Sequence, residues 1–270
     1  MALAGRRPRW EDLGRDLLVS IFEKIEMEDL IAGVSFTCTA WRDAAGDPLC
    51  WRELDFRRWE LISRRLRFRR ALSVDFRDLL RFSIARAGGA VDSVFFPDFA
   101  DEIDLLFVAE RCPRLRYFHF GNDEEPTDQF LQAIDKLRHL QGMAVNEAVI
   151  CEEVLEILTR CRATFTELEV FAERVSENMA AAICDALPNL RKLRLRDCKM
   201  SQPVLLLFLD ELKDLESLDI SGYSAPRITR QVLEKASRLK EFLWESELDL
   251  GDLYRCSGSC GDIFFQGSRD

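Results

Sequence analysis

The sequence predicts an α/β protein: an N-terminal three-helix module, then a short solenoid with a parallel strand ladder and outer helices. Three observations predict it. A six-residue pattern, apolar at its first, fourth and sixth positions, recurs through the second half at a mean spacing of about 25 residues. Helical apolar periodicity, often opened by a good cap residue, follows the copies, so strand and helix alternate. Residues 10–54 lack the strand period and carry more large apolar groups than so short a segment can enclose.

Residues 1–9 are basic, have no apolar stretch behind them and read as a disordered N-terminus rather than a secretory signal. The first helix is expected near Asp16–Ile25, where Leu17, Leu18, Ile21, Phe22 and Ile25 fall at helical intervals. Asp12 or Gly14-Arg15 marks its start. The second is expected over Glu28–Asp43, with Leu30, Ile31, Val34, Cys38 and Trp41 apolar. Gly46-Asp47-Pro48 breaks it, and Leu49-Cys50-Trp51 follows. The surplus apolar surface either packs on the first repeat as a cap or belongs to a partner interface.

Residues 55–90 read as a basic linker and first helices. Arg52, Arg57, Arg58, Arg64, Arg65, Arg67, Arg69 and Arg70 stand against Glu53, Asp55 and Glu60, a local charge of +5 in a chain of net charge −10. The expectation is a solvated helix face with Trp59, Leu61, Ile62, Leu66 and Phe68 packed inward, its arginines pairing with acidic groups of a partner or of the repeats. A nuclear-import-like or nucleic-acid patch is the other reading. Residues 73–87 read as the helix before the first strand.

The repeats occupy residues 91–250, about seven of them. Copies start at Val91, Leu115, Phe165, Leu190, Leu215 and Leu239, with a degenerate copy at Leu137 in which Gly142 replaces the third apolar residue. The intervals are 24, 22, 28, 25, 25 and 24 residues. Asp101, Thr127, Ser176, Ser201 and Thr229 stand where a side-chain oxygen can satisfy the free amides of a helix start. The segments Ile103–Phe107, Phe130–Ile134 and Val154–Leu158 show the helical apolar spacing. A single strand–helix unit has nothing to bury its apolar edge against, so neighbours must supply that layer. Arg111-Cys112-Pro113-Arg114-Leu115 and Cys198 resemble the longer, cysteine-containing kind of leucine-rich repeat, with the cysteines as packing groups. The tail, residues 251–270, loses the repeat and reads as a loose end or as an irregular cap carrying Ile263, Phe264 and Phe265.

Composition narrows the chemistry. Nine cysteines and no tight framework point to free thiols in a reducing compartment, cytoplasm or nucleus. An acidic balance disfavours nucleic acid, and no apolar run approaches the roughly 18 residues of a membrane span. His119 and His139 stand away from any cysteine pair at zinc spacing, and Cys256-x3-Cys260 supplies only two ligands, so no metal is expected. Phosphate-binding glycine loops and the nucleophile-elbow motif are absent, so no cofactor and no catalytic residue is expected.

The N-terminal segment resembles an F-box. Leu13-Gly14-Arg15-Asp16-Leu17-Leu18-Val19-Ser20-Ile21-Phe22 is similar to its opening, with Gly14 in place of the usual proline. Asp29-Leu30, Cys38-Thr39-Ala40-Trp41-Arg42 and Asp47-Pro48-Leu49-Cys50-Trp51-Arg52-Glu53-Leu54 match its later elements in order. With the repeats, the chain resembles the F-box/leucine-rich-repeat proteins common in plants, with the F-box at 10–54. That resemblance implies a substrate receptor of an SCF (cullin–RING) ubiquitin ligase. The F-box would bind a Skp-type adaptor, and through it the cullin scaffold, while the repeats hold a protein substrate and the chain performs no chemistry itself. It assigns Leu13, Leu17, Leu18, Ile21, Phe22, Leu30, Trp41 and Trp51 to the adaptor interface. Phe22 and Trp51 are favoured as contacts, Val34 as core, and Trp41 as either. The alternative is a leucine-rich-repeat scaffold acting outside a ligase.

Strand alternation turns the residues between the apolar positions outward. That places Phe95, Tyr117, His119, Met143 and Phe171 on the recognition face, then the basic row Lys192, Arg194 and Arg196 amid Glu167, Glu169, Asp219, Glu241 and Glu245. Phe95, Tyr117, His119, Phe171, Lys192, Arg194 and Arg196 are therefore the candidate substrate contacts. The basic row either reads an acidic or phosphorylated client or pairs with the flanking carboxylates.

Overall fold

The computed structural model describes residues 10, 13–70, 74–222, 226, 228–244 and 264–266. The expected disordered N-terminus at 1–9 and Ile263 of the tail lie outside the described residues. The chain divides into two compact units, residues 1–97 with 111–115, and residues 98–110 with 116–270.

The first unit opens with α1 (Arg15–Phe22), α2 (Met27–Ala32) and α3 (Thr39–Ala45). Gly14 is extended ahead of α1 (φ −62°, ψ 150°) and offers no side-chain cap. The single helix expected over Glu28–Asp43 is broken. The chain leaves α2 at Gly33 (φ −112°, ψ −76°), makes a 3-10 turn over Val34–Phe36, and is extended at Cys38 (φ −156°) before α3. Asp47 accepts a hydrogen bond from the Leu49 amide at 3.1 Å and opens a further 3-10 turn over Pro48–Trp51. That turn leads into β1 (Glu53–Asp55), which the sequence reading missed. Trp51, Leu54 and Phe56 are all buried, at the same first, fourth and sixth spacing as the later copies.

Two helices, α4 (Trp59–Arg70) and α5 (Phe76–Ala87), precede β2 (Ser93–Phe95). On α4, Ile62 and Leu66 are buried as the pattern requires, but Phe68 is 94% exposed. Phe68 falls two residues past Leu66, which a 100° step per residue carries off the inward face. Asp75 caps α5 by accepting from the Arg77 amide at 2.8 Å, and Gly88 ends it in the left-handed region (φ +59°). β1 pairs in parallel with β2, Leu54 opposite Val94.

In the second unit most of α6 (Glu102–Arg111) leads to β3 (Tyr117–Phe120), α7 (Asp128–Lys136), β4 (Gly142–Asn146), α8 (Glu152–Thr159) and β5 (Glu167–Phe171). Then come β6 (Arg174–Val175), α9 (Glu177–Ala186), β7 (Lys192–Arg194), β8 (Lys199–Met200), α10 (Gln202–Glu211), β9 (Ser217–Asp219), α11 (Arg230–Ala236), β10 (Glu241–Leu243) and β11 (Phe264–Gln266). Strands β3, β4, β5, β7, β9, β10 and β11 pair in parallel in that order, and β6 pairs with β8 apart from them. Phe118, Met143, Leu168, Leu193, Leu218 and Phe242 form one buried rung across β3 to β10. Each such side chain is worth about 1.5–3 kcal/mol when buried, so the ladder outweighs any surface pair.

That rung corrects the degenerate copy. Met143 points inward and is fully buried, so the copy starts at Leu140 (Leu140, Met143, Val145), not at Leu137. The two irregular intervals become 25 and 25 residues, equal to the two that follow. Gly142 then stands at an outward position, where a Cβ would meet Glu167 at 2.7 Å and the Tyr117 ring at 3.1 Å.

The helices are capped as expected. Thr127, Ser176, Ser201 and Thr229 accept from the amides of Gln129, Met179, Val204 and Val232, and Asp101 accepts from Asp104 at 3.1 Å. On α6, Ile103 is an exception to the apolar spacing: it is exposed while Leu105, Val108 and Ala109 are buried.

Candidate partner-binding surfaces

The apolar residues of the N-terminal helices divide sharply. Leu18, Val19, Phe22, Leu30 and Val34 are buried among themselves, while Leu17 is 52% exposed and Leu13, Ile21 and Trp41 are half-buried. Phe22 meets Trp41 edge-on at 5.3 Å, which ties the buried face of α1 to α3. Trp51 is 2% exposed, and its indole N–H donates to the Ala45 carbonyl at 2.8 Å. Phe22 and Trp51 are thus sealed in this chain, as are Leu18 and Leu30, and the expectation that Phe22 and Trp51 face outward is corrected. Both are large enough to serve as anchors, but here each fills the module's own core. The accessible set is Leu13, Leu17, Ile21 and Trp41, with Leu49 and Phe36 also exposed and overlooked in the sequence.

The basic junction finds its acids nearby. The Arg58 guanidinium bridges Glu26 and Glu28, and Arg65 pairs with Asp29, so the acidic start of α2 answers α4. Burial raises the Glu28 carboxyl above its ordinary range, and Arg58 at 2.9 Å opposes that shift. Arg57 reaches Asp55 and lies over the Phe95 ring at 4.4 Å, while Arg52 donates to Asp92 at 2.6 Å. Of the eight arginines, Arg64 and Arg67 are exposed, and the side chains of Arg69 and Arg70 lie outside the described residues.

On the second unit the outward positions form two rows. One runs Tyr117, Gly142, Glu167, Lys192, Ser217 and Glu241; the other runs His119, Ala144, Glu169, Arg194, Asp219 and Leu243. Tyr117, His119 and Phe171 are half-buried, and His119 meets Phe171 edge-on at 5.3 Å. His119 on β3 and Phe171 on β5 reach each other across β4, where Ala144, in register with His119, raises only a methyl group. The basic row is paired within the ladder: Lys192 with Glu167 at 2.7 Å, Arg194 with Glu169 at 3.4 Å, Arg196 with Asp219 at 2.7 Å. Phe95 belongs to the first unit, where it receives Arg57. The structure therefore brings His119 and Phe171 together, keeps Tyr117 two residues from His119 on the same strand, places the basic row on and after β7, and gives Met143 no place on the surface. Glu245 lies outside the described residues.

The buried thiols are chemically quiet. Burial pushes Cys50, Cys112 and Cys198 up to about 11 and Cys184 up to about 12, so all four are protonated near neutral pH. Cys256 and Cys260 lie outside the described residues. Among the described residues no three His, Cys, Asp or Glu side chains are arranged to hold a metal ion, and no helix is long and apolar enough to cross a membrane.

Comparison with known proteins bears on this division of surfaces. A family model described as F-box-like matches residues 10–57. An F-box/LRR-repeat protein of Arabidopsis thaliana is 27% identical over 263 residues, covering 88% of this chain and 84% of its own. The F-box protein SKIP19 of the same plant is 24% identical over 221 residues, covering 80% and 70%. Among solved structures, a chain of the TLR13–ssRNA13 complex aligns with 59% of this chain and 30% of its own at 10% identity, with a TM-score of 0.36, too distant to bear on fold or function. The chain thus carries an F-box-like segment at residues 10–57 with a parallel strand–helix ladder after it, and over most of its length it is similar to F-box/LRR-repeat proteins of Arabidopsis thaliana.

Proposed function

We propose that the chain is the substrate-recognition subunit of an SCF (cullin–RING) ubiquitin ligase. Its F-box-like segment docks on a Skp-type adaptor, which joins it to the cullin, and its ladder holds a protein client. The chain performs no bond chemistry. It raises the local concentration of client lysines near a charged conjugating enzyme, an effective-concentration effect. The observation that carries the reading is the exposed apolar edge of α1, where Leu17 is 52% exposed beside Leu13, Ile21 and Trp41 within the matched segment. Large apolar groups held at a surface in this way mark a partner interface. The half-buried Tyr117, His119 and Phe171, with Lys192, Arg194 and Arg196 beside them, supply the client surface, and Phe95 is a contact on the first unit.

Affinity capture of the tagged chain from plant cells tests this. The wild type is expected to bring down adaptor and cullin together, and Leu17→Asp to lose both while its circular dichroism is unchanged. Recovery of client proteins without adaptor or cullin would favour a scaffold that works outside a ligase.

A further inference from the structure

Of the 38 lysine and arginine residues of the chain, 31 are arginine and seven are lysine. Lysine is ordinarily among the commoner residues, so the imbalance is a property of this sequence. The first unit holds 18 arginines and a single lysine, Lys24. Its ion pairs use Arg15, Arg52, Arg57, Arg58, Arg65 and Arg81. At an exposed ion pair the two cations do similar service, but as nucleophiles they differ. A guanidinium stays protonated and offers no lone pair, whereas a lysine that loses its proton becomes an amine able to attack an activated carbonyl.

All seven lysines lie among the described residues. Five are engaged within the ladder. Lys192 reaches Glu167 at 2.7 Å, Lys199 reaches Glu173 at 3.1 Å and Lys240 reaches Glu216 at 2.7 Å. Lys235 pairs with Asp210, and Lys213 donates to the Asp210 carbonyl. Lys24 follows α1 in the turn that bonds its amide to the Ile21 carbonyl at 3.1 Å, at the end of the edge assigned above to the adaptor. Lys136, the last residue of α7, differs from all of these. It is exposed, and its side chain forms no ion pair or hydrogen bond among the described residues. Its neighbour Asp135 is taken by Arg138 at 3.0 Å and by Arg160. It stands on a helix, not on the strand rows assigned to the client.

We propose that Lys136 is the site at which the ligase places ubiquitin on its own receptor, and that arginine in place of lysine spares the rest of the chain. This rests on the reading of the chain as a ligase subunit. In such a complex the receptor's own amines are tethered near the charged conjugating enzyme, as the client's are, so each accessible lysine competes with the client. The Lys136 amine, its ammonium proton lost to water, attacks the thioester carbonyl that joins the C-terminus of ubiquitin to the cysteine of the conjugating enzyme. The isopeptide C–N bond forms, the C–S bond breaks, and the departing thiolate takes the proton that the nitrogen sheds. An exposed ion pair or hydrogen bond withholds an amine by up to about fivefold, so the five engaged lysines together match Lys136 alone. A guanidinium at the same positions does not compete.

The test reconstitutes the ligase from the full chain, a Skp-type adaptor, a cullin with its RING subunit, activating and conjugating enzymes, ATP and ubiquitin. Size-exclusion chromatography first reports whether chain, adaptor and cullin elute together. Mass spectrometry of the diglycine remnants is then expected to find Lys136 modified at least about threefold more often than any other single lysine. Lys136→Arg is expected to lower the initial rate of self-modification about twofold. Arg162 and Arg174 are exposed and form no ion pair among the described residues. Arg162→Lys with Arg174→Lys is expected to raise that rate about twofold, by adding two accessible amines. Failure to elute together would overturn the ligase reading and this inference with it. An assembled complex modified evenly over its lysines or at its N-terminal amine would overturn the inference and leave the reading standing. A rate indifferent to Lys136→Arg or to the two added lysines would do the same.

Discussion

Leu17 and Trp51 have the same apolar character and opposite places in the structure. Trp51 closes the 3-10 turn ahead of β1 and satisfies its indole N–H at Ala45, so its truncation removes packing and strands a carbonyl. Trp51→Ala is expected to cost about 3–5 kcal/mol in denaturant unfolding. Leu17→Ala, at a half-exposed position, is expected to shift unfolding by less than about 0.5 kcal/mol. Sequence alone could not separate them, because helical spacing marks which side chains share a face but not which face a partner completes. Gly222 offers a second residue-scale test. It sits at φ +122° with Asp197 packed where a Cβ would stand, and Asp197 is itself left-handed (φ +55°). Gly222→Ala is expected to lower stability by at least about 1 kcal/mol, read from thermal unfolding. The buried thiols set a pH dependence. Their ordinary value is 9.0 and burial holds Cys50, Cys112 and Cys198 near 11. The unfolded chain therefore releases protons first, and stability from these groups is present below pH 9 and falls as pH rises through 11. Unfolding midpoints across that alkaline range check the sign, and replacing the three by alanine or valine should flatten the decline.

Among the elements, strand positions were legible and one register was not. Five later copies pair as their apolar spacing requires, because three inward residues in six leave little freedom of phase. The degenerate copy starts three residues later than its apolar spacing suggests. Leu137 and Leu140 are both buried, and the small outward residues Gly142 and Ala144 blur the alternation that would fix the phase. The even 25-residue spacing was the signal that would have placed it. The strand at β1 was hidden inside a segment read as helical, although Trp51, Leu54 and Phe56 repeat the pattern. The caps of the repeat helices at Thr127, Ser176, Ser201 and Thr229 were legible, since these residues act within their own turns. Spacing alone leaves the basic row open between two readings, and its three ion pairs argue against a reader of phosphate. A phosphate arriving there would have to displace Glu167, Glu169 or Asp219 from its partner. A client, once identified, is therefore expected to bind equally before and after phosphatase treatment. Surface plasmon resonance with the two forms decides it, and Lys192→Glu is expected to cost less than about 1 kcal/mol of stability.

Across the whole molecule, each unit carries a surface that its own chain leaves open, and their chemistries differ. The second unit holds 33 acidic residues against 19 basic ones, whereas the first holds 15 against 19. That contrast was visible in the sequence as a basic stretch at 52–70. What could not be read there was that α2 supplies Glu26, Glu28 and Asp29 to neutralise part of it, because those carboxylates come from a different helix. On the proposed function the α1 edge is completed by an adaptor chain. Isothermal titration of the purified full chain with a purified Skp-type adaptor tests it most directly. One-to-one binding with negative heat-capacity change, weakened at least about a hundredfold by Leu17→Asp, is the predicted result. Absence of binding by the folded wild type, or equal affinity in the variant, would contradict it.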